Sequence, residues 1–254
     1  MKILLSNDDG YQAPGLQALI TALSDVADLV IIAPSADQSC SSSSLTLRQP
    51  IAVHPVTDSP HEFYHVEGTP ADCVHLAING FLDDKPDMVV SGINSGSNLG
   101  DDVVYSGTVA AAIEGRFLGL PAMAVSLASD MPTHYETAAR VVQDMISILT
   151  SRPLPGDIIL NINVPDRPYT QLAGLYATRC GARHQSQPVV EDGSKGDTRY
   201  FRIGPSGAKA DAGPGTDFHA IAEGRVSVTP LHIDMTRHSH MTEVAQWVTG
   251  VQAK

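Results

Sequence analysis

The chain of 254 residues has room for one large α/β domain, or a domain with an appendage, and for a sizeable buried core. Hydrophobic residues at 43% against 17% charged exclude extensive disorder, and a formal net charge of −12 repels a long phosphate backbone, which excludes a nucleic-acid polymer as the expected partner. Cys40, Cys73 and Cys180 are scattered without metal-ligand spacing, no basic-then-apolar leader pattern opens the sequence, and no apolar run nears membrane-spanning length, so a reduced, cytoplasmic setting without a membrane partner is expected.

In chain order, Lys2 to Ser6 is an apolar run that ends at two adjacent carboxylates, Asp8 and Asp9, and Gly10. A short run without alternation reads as a strand buried on both faces, the habit of a central parallel sheet. Leu16, Leu19, Ile20 and Leu23 repeat at helical spacing after Pro14, and Leu29 to Ala33 is a second buried strand. Residues 35 to 44 form a serine-rich polar loop, too short to link domains. Ile51 to Val56 and Phe63 to Val66 read as short strands of a hairpin or a sheet edge, and Val74, Ala77, Ile78 and Phe81 as a helical stripe after Pro70. Asp87 to Ser91 and Ala122 to Ser126 are strand-like, separated by a glycine-rich loop and a helix starting near Thr108. Val141, Val142, Met145 and Leu149 stripe a further helix, and Ile158 to Ile162 closes the alternating region.

This alternation predicts right-handed crossovers, a mainly parallel sheet and helices on both faces, a Rossmann-like three-layer sandwich. After Pro165 glycine, proline and charge dominate. Arg225 to Val228 is the next plausible strand and Met241 to Val248 a short helix. The expected division is a catalytic core over 1–165. Residues 166–254 then supply strands, an extended arm and a helix that complete the fold and contact neighbouring subunits.

Loops following parallel strands emerge on one edge, where such sheets bind ligands. That edge receives Asp8 and Asp9, then Gln38 and Ser39, then residues 91 to 100 with Asn94. Alone, Asp-Asp-Gly is an ordinary solvated turn, Asn94 a turn residue and the serines a flexible loop. Together they put two carboxylates, a hydroxyl and a carboxamide at one point. Those oxygen donors suit Mg²⁺, Mn²⁺ or Ca²⁺, and a cation removes the cost of crowding two anions. Downstream, Tyr105-Ser-Gly-Thr feeds an alanine-rich helix whose start offers unpaired N–H groups and hydroxyls, a phosphate cradle on the same edge.

Leu4-Leu-Ser-Asn-Asp-Asp-Gly, Gln38-Ser39, Ser44-Leu-Thr-Leu, Gly68-Thr-Pro, Ser91-Gly-Ile-Asn, Asn98-Leu-Gly, Tyr105-Ser-Gly-Thr-Val-Ala-Ala-Ala and Gly215-Thr-Asp together resemble the SurE (survival protein E) nucleotidase family. The match covers most of residues 1 to 127 and resumes at Asn161-Ile-Asn-Val-Pro and Val226-Ser-Val-Thr-Pro-Leu. It implies a metal-dependent phosphatase of nucleoside 5′- and 3′-monophosphates, with short polyphosphate as a further substrate. Metal ligands are implied at Asp8, Asp9, Ser39 and Asn94, and phosphate-binding roles at Asn98, Ser106, Gly107 and Thr108. Also expected are one divalent cation per subunit, Mg²⁺ or Mn²⁺, and a homodimer or homotetramer with the tail on a neighbour. The chain departs from the pattern at Cys40 and Ser43, where the family usually has Gly and Asn.

Three other readings fail on particular residues. A haloacid-dehalogenase-type phosphatase needs carboxylates two residues apart, and position 7 is Asn. A receiver domain needs a phospho-accepting Asp where Ser91 stands. A dinucleotide fold wants three spaced glycines where only Gly10 and Gly15 occur. A non-catalytic nucleotide- or metal-binding sensor on the same scaffold is the remaining alternative. The expected chemistry is direct attack of water on phosphorus, with Asp8 or Asp9 as proton acceptor. His219, His232, His238 and His240 lie late, unframed by any motif, and read as solvated or lid residues.

Overall fold

The computed structural model describes residues 1–251. β1 (Lys2–Ser6) leads through α1 (Pro14–Leu23) to β2 (Asp28–Pro34), and β3 (Val53–Pro55) and β4 (Glu62–Val66) form a hairpin. Then follow α2 (Pro70–Leu76), β5 (Met88–Ser95), α3 (Gly107–Glu114), β6 (Ala122–Ala128), α4 (Tyr135–Ser151) and β7 (Ile159–Pro165). Six strands in the order β4-β2-β1-β5-β6-β7 run parallel, with Leu5 beside Ile31 on one side and Val90 on the other. β3 closes one edge antiparallel to β4.

The alternation of each strand sends side chains to two helical layers. Ile3, Leu5 and Ile31 pack with Leu16, Leu19, Val142 and Leu149 of α1 and α4. Leu4, Val30 and Ile32 pack with Cys73, Val74, Val109 and Ala112 of α2 and α3. The three-layer α/β sandwich with a mainly parallel sheet is therefore as the sequence predicts.

The chain passes from β1 towards β2 and β4 on one side, then returns to the other side of β1 for β5, β6 and β7. The order reverses between β1 and β5. A crevice opens at such a reversal beyond the strand ends, because neighbouring connections leave in opposite directions. Asp8 and Asn94 come from those two strand ends.

Two local expectations change. The stripe from Val74 to Phe81 is not one helix: α2 stops at Leu76 and a single π turn, Ala77–Phe81, carries the chain on, with Gly80 at φ 119°. Residues 91 to 95 are not loop. β5 continues to Ser95 across an irregularity in its pairing with β6, after which Asn94 pairs with Ser126 and Ser95 with Leu127. Such an interruption re-aims a side chain without ending the strand, which brings Asn94 to the crevice on a rigid support.

The tail is richer in strands than its composition shows. It contains β8 (Leu175–Ala177), β9 (Ala182–Arg183), β10 (Val190–Lys195), β11 (Thr198–Arg202), β12 (Lys209–Asp211), α5 (Asp217–Ala222), β13 (Val226–Leu231) and α6 (Met241–Thr249). β13 pairs antiparallel with β7, Val228 beside Ile162, and β8 pairs with β13, so both extend the main sheet to nine strands. β10 and β11 form an exposed hairpin, and β9 pairs with β12. Among the described residues no helix is long and apolar enough to cross a membrane.

Candidate metal and phosphate site

Asp8 leaves the end of β1 only 4% exposed. Its Oδ1 accepts the Thr108 hydroxyl at 2.5 Å. Burial pushes its carboxyl up to about 6; the Thr108 hydrogen bond draws it down and the charge of Asp9 adds to the rise. Burial also raises Asp9, against the Ser95 backbone N–H that donates to its Oδ2 at 2.9 Å. The two carboxylates thus lean on different elements, Asp8 on the start of α3 and Asp9 on the end of β5.

The neutral donors are oriented by their own neighbours. The Ser39 hydroxyl donates to Asp37 Oδ1 at 2.6 Å, which turns its proton away and leaves its lone pairs for a ligand. Asn94 donates one carboxamide N–H to the Gly96 carbonyl at 2.9 Å. Asn98 is held from several sides. Its backbone N–H donates to Asn163 Oδ1, its carbonyl accepts from Asn161 and Asn163, and its Nδ2 donates to Ser126.

These groups meet in a cleft of about 690 Å³, of which Asp8, Ser39, Asn94, Asn98 and Ser106 form part of the wall. Asp9, Gly107 and Thr108 follow residues of that wall in sequence and are not among the residues that line it. The Thr108 hydroxyl, fully buried and spent on Asp8, positions that carboxylate rather than reaching a phosphate; only the backbone at this turn points to the anion role. Ser106 caps α3 by accepting from the Val109 N–H at 3.1 Å, which keeps its own proton for the cleft. A Cβ on Gly107 would stand 2.8 Å from Asp8 Cβ and 3.1 Å from Ser41 Oγ, a buried hydroxyl with no hydrogen-bond partner. Glycine is needed there for close approach of the helix start to the carboxylate.

A divalent cation fits this donor set. Two carboxylates with raised pKa values, a pre-turned hydroxyl and a carboxamide are oxygen ligands of the hard-cation kind. Among the described residues no group of three or more His, Cys, Asp or Glu could hold a metal ion, which rules against a zinc-type cluster and leaves two acids with two neutral oxygens. No lysine or arginine is among the residues that line the cleft. A phosphate there needs a cation from outside the side-chain set, together with the α3 N-terminus.

Several contributors carry no strong sequence signal. Asp37, Ser95 and Ser126 act through orientation, and Ser186, Ile203, Gly204 and Ser206 enter the cleft from the glycine- and proline-rich tail. Asn161 and Asn163 did leave one: two carboxamides at i and i+2 in an apolar strand share a face. Asp217, at the start of α5, is fully buried and accepts the N–H groups of Gly100, Gly181 and Phe218, which pins the tail to the loop after Asn98. A more open groove of about 680 Å³ beside α1 and α4, lined in part by Gln17, Arg140 and Tyr169, lies on a helical face and holds none of the expected site residues.

A doubly wound α/β sheet with a carboxylate pair at its switch point and a helix N-terminus beside it has the layout of phosphate-handling α/β proteins. The profile of the survival protein SurE family matches residues 3–187. A protein of Alkalilimnicola ehrlichii called 5′-nucleotidase SurE is 57% identical over 251 residues, covering 99% of this chain and 96% of the relative. Another of the same name, from Nitrosococcus oceani, is 54% identical with 99% of each chain covered. The crystal structure of the SurE protein from Aquifex aeolicus superposes with a TM-score of 0.85 at 38% identity, covering 97% of this chain and 99% of that one. The chain belongs to the survival protein SurE family.

Proposed function

We propose that this chain is a divalent-metal-dependent phosphatase of nucleoside 5′- and 3′-monophosphates; the names of its relatives print 5′-nucleotidase. The observation that carries the reading is the adjacent carboxylate pair, Asp8 and Asp9, at a cleft that no basic side chain lines. Asp8, Asp9, Ser39 and Asn94 would hold one Mg²⁺ or Mn²⁺ per subunit. When bound, such a cation polarises a phosphoryl oxygen and lowers the pKa of water. The residues themselves do the rest. The aspartate pair takes the proton of the attacking water. Asn98, anchored on β6 and β7, and the N–H groups at the Ser106–Thr108 turn hold the phosphate oxygens and the charge that grows on them. Water attacks directly, without a protein nucleophile, and short polyphosphate is a further substrate.

The sensor alternative has no observation in its favour. The setting is cytoplasmic, and the tail joins neighbouring subunits of a homodimer or homotetramer. Chelation should abolish release of phosphate from mononucleotides, with recovery on adding Mn²⁺ or Mg²⁺. Asp9→Asn should lower turnover on the order of 10³-fold with the fold intact. Undiminished turnover in thoroughly metal-free protein overturns the reading.

A further inference from the structure

The cleft extends well past the carboxylates. Its volume of about 690 Å³ exceeds what a phosphate and a cation fill, and lies in the range of sites for whole small-molecule ligands. Two large apolar side chains line it from segments far apart in sequence: Tyr105, 65% exposed, immediately before the Ser106 cradle, and Ile203, 87% exposed, just after β11. Scattered exposed apolar residues need no explanation, but two that share the wall of one ligand-sized cleft do. The rest of this outer wall is small and neutral, with Ser186, Gly204 and Ser206. Its one acid, Asp102, is neutralised by Arg183 at 2.7 Å. Apolar faces with small neutral polar groups suit a flat, uncharged heterocycle, and give a second anion nothing to pair with.

The outer wall is also held in place. The Arg183 guanidinium makes a bidentate pair with Asp102, and the Arg183 N–H donates to Asp101 at 2.8 Å, fastening the base of the arm to the turn that leads into Tyr105. Ser42 binds the same turn through hydrogen bonds to the Val104 and Tyr105 carbonyls. Tyr105 therefore stands on a turn tied from both sides.

We propose that Tyr105 and Ile203 form the nucleobase subsite of the cleft, with Tyr105 as stacking platform and Ile203, delivered by the arm, as an apolar wall. The proposal rests on the nucleotidase reading above and goes beyond it, since it makes the tail part of substrate selection. It requires that the base, and not only the phosphate, be bound.

The test compares kcat/KM of the Mn²⁺-loaded full chain for adenosine 5′-monophosphate and for ribose 5-phosphate, which keeps sugar and phosphate but lacks the base. Stacking on an aromatic ring predicts that the wild type prefers the nucleotide, and that Tyr105→Ala lowers this preference roughly 5- to 150-fold. The loss should fall mainly on KM. Tyr105→Phe, which keeps the ring, should restore the preference, and Ile203→Ser should reduce it in the same direction. Both side chains are exposed, so the variants should melt at the wild-type temperature; should Tyr105→Ala melt lower, Ile203→Ser decides. An equal preference in wild type and variants overturns the subsite. A wild type that hydrolyses both substrates alike overturns it while leaving the phosphatase reading intact. A wild type that hydrolyses neither overturns both.

Discussion

Asp8 shows how one side chain's surroundings set a measurable property of the whole protein. Its carboxyl titrates near pH 6 because burial penalises the charged form. For an acid, a folded pKa above the unfolded one means that the fold binds the proton more tightly. Its contribution therefore favours the metal-free fold at low pH, and is lost as pH rises through about 6. A cation must displace that proton. Calorimetry in buffers of different ionisation enthalpy should show net proton release on Mn²⁺ binding at pH 5.5 and almost none at pH 8, and the metal-induced rise in Tm should grow between those values. Proton release independent of pH would mean that Asp8 is not a ligand. Cys40 makes a different point. It takes φ 62°, a region that costs a side chain about 1–2 kcal/mol relative to glycine. Glycine gives back about 0.4–1 kcal/mol through the entropy of its unfolded chain. Cys40→Gly should therefore raise stability by up to about 1.5 kcal/mol and retain activity, read as a higher urea midpoint at constant slope. The positive φ also explains why the residue in this place is usually Gly in the resemblance that the sequence carries.

At the scale of the element, α3 and β1 act as one unit, because the helix starts against the side chain of Asp8. An alanine at position 107 would ordinarily favour the helix, by up to about 1 kcal/mol. Here its Cβ would stand 2.8 Å from Asp8 Cβ and 2.9 Å from Oδ2, and Asp8 cannot swing aside while Thr108 holds Oδ1. The clash wins. Gly107→Ala should weaken Mn²⁺ binding more than tenfold by calorimetry; wild-type affinity would show that the helix start can retreat. Elements of this kind were largely legible in the sequence. β1 matches its expected limits, Lys2 to Ser6, and α1 begins at Pro14, because a buried run and a proline at a helix start leave little freedom. The π turn at Ala77–Phe81 was not legible, since it keeps the helical stripe while Gly80 breaks the backbone that the stripe implies. Nor was the role of Thr108. A hydroxyl in a phosphate-type turn looks the same in sequence whether it faces a ligand or a carboxylate behind it.

Across the whole molecule, the core was readable and the tail only at β13 and α6. Short strands such as β8 and β12 are fixed by partners distant in the chain, and their composition carries no period. The tail also leaves apolar surface uncovered. On α6, Met241, Val244 and Val248 lie about half exposed and Trp247 is 74% exposed, a stripe at helical spacing. Burying it against another copy would stabilise both. Light scattering at micromolar concentration should give a multiple of 26.9 kDa, and Trp247→Ser should shift the population towards monomer. A monomer mass for the wild type would contradict this.

Asp217 has a consequence in time. It pins the loop at Gly100 to the tail at Gly181, and β13 follows it into the sheet. During synthesis at about 5–20 residues per second, the carboxylates of β1 leave the ribosome roughly 10–40 s before the residue that fastens the far side of their cleft. The parallel strands can pair meanwhile, but a nascent chain halted before α5 carries the acidic pair without a finished mouth. Competence to turn over substrate should thus arrive abruptly, only once α5 and β13 have emerged, however early the sheet begins to assemble.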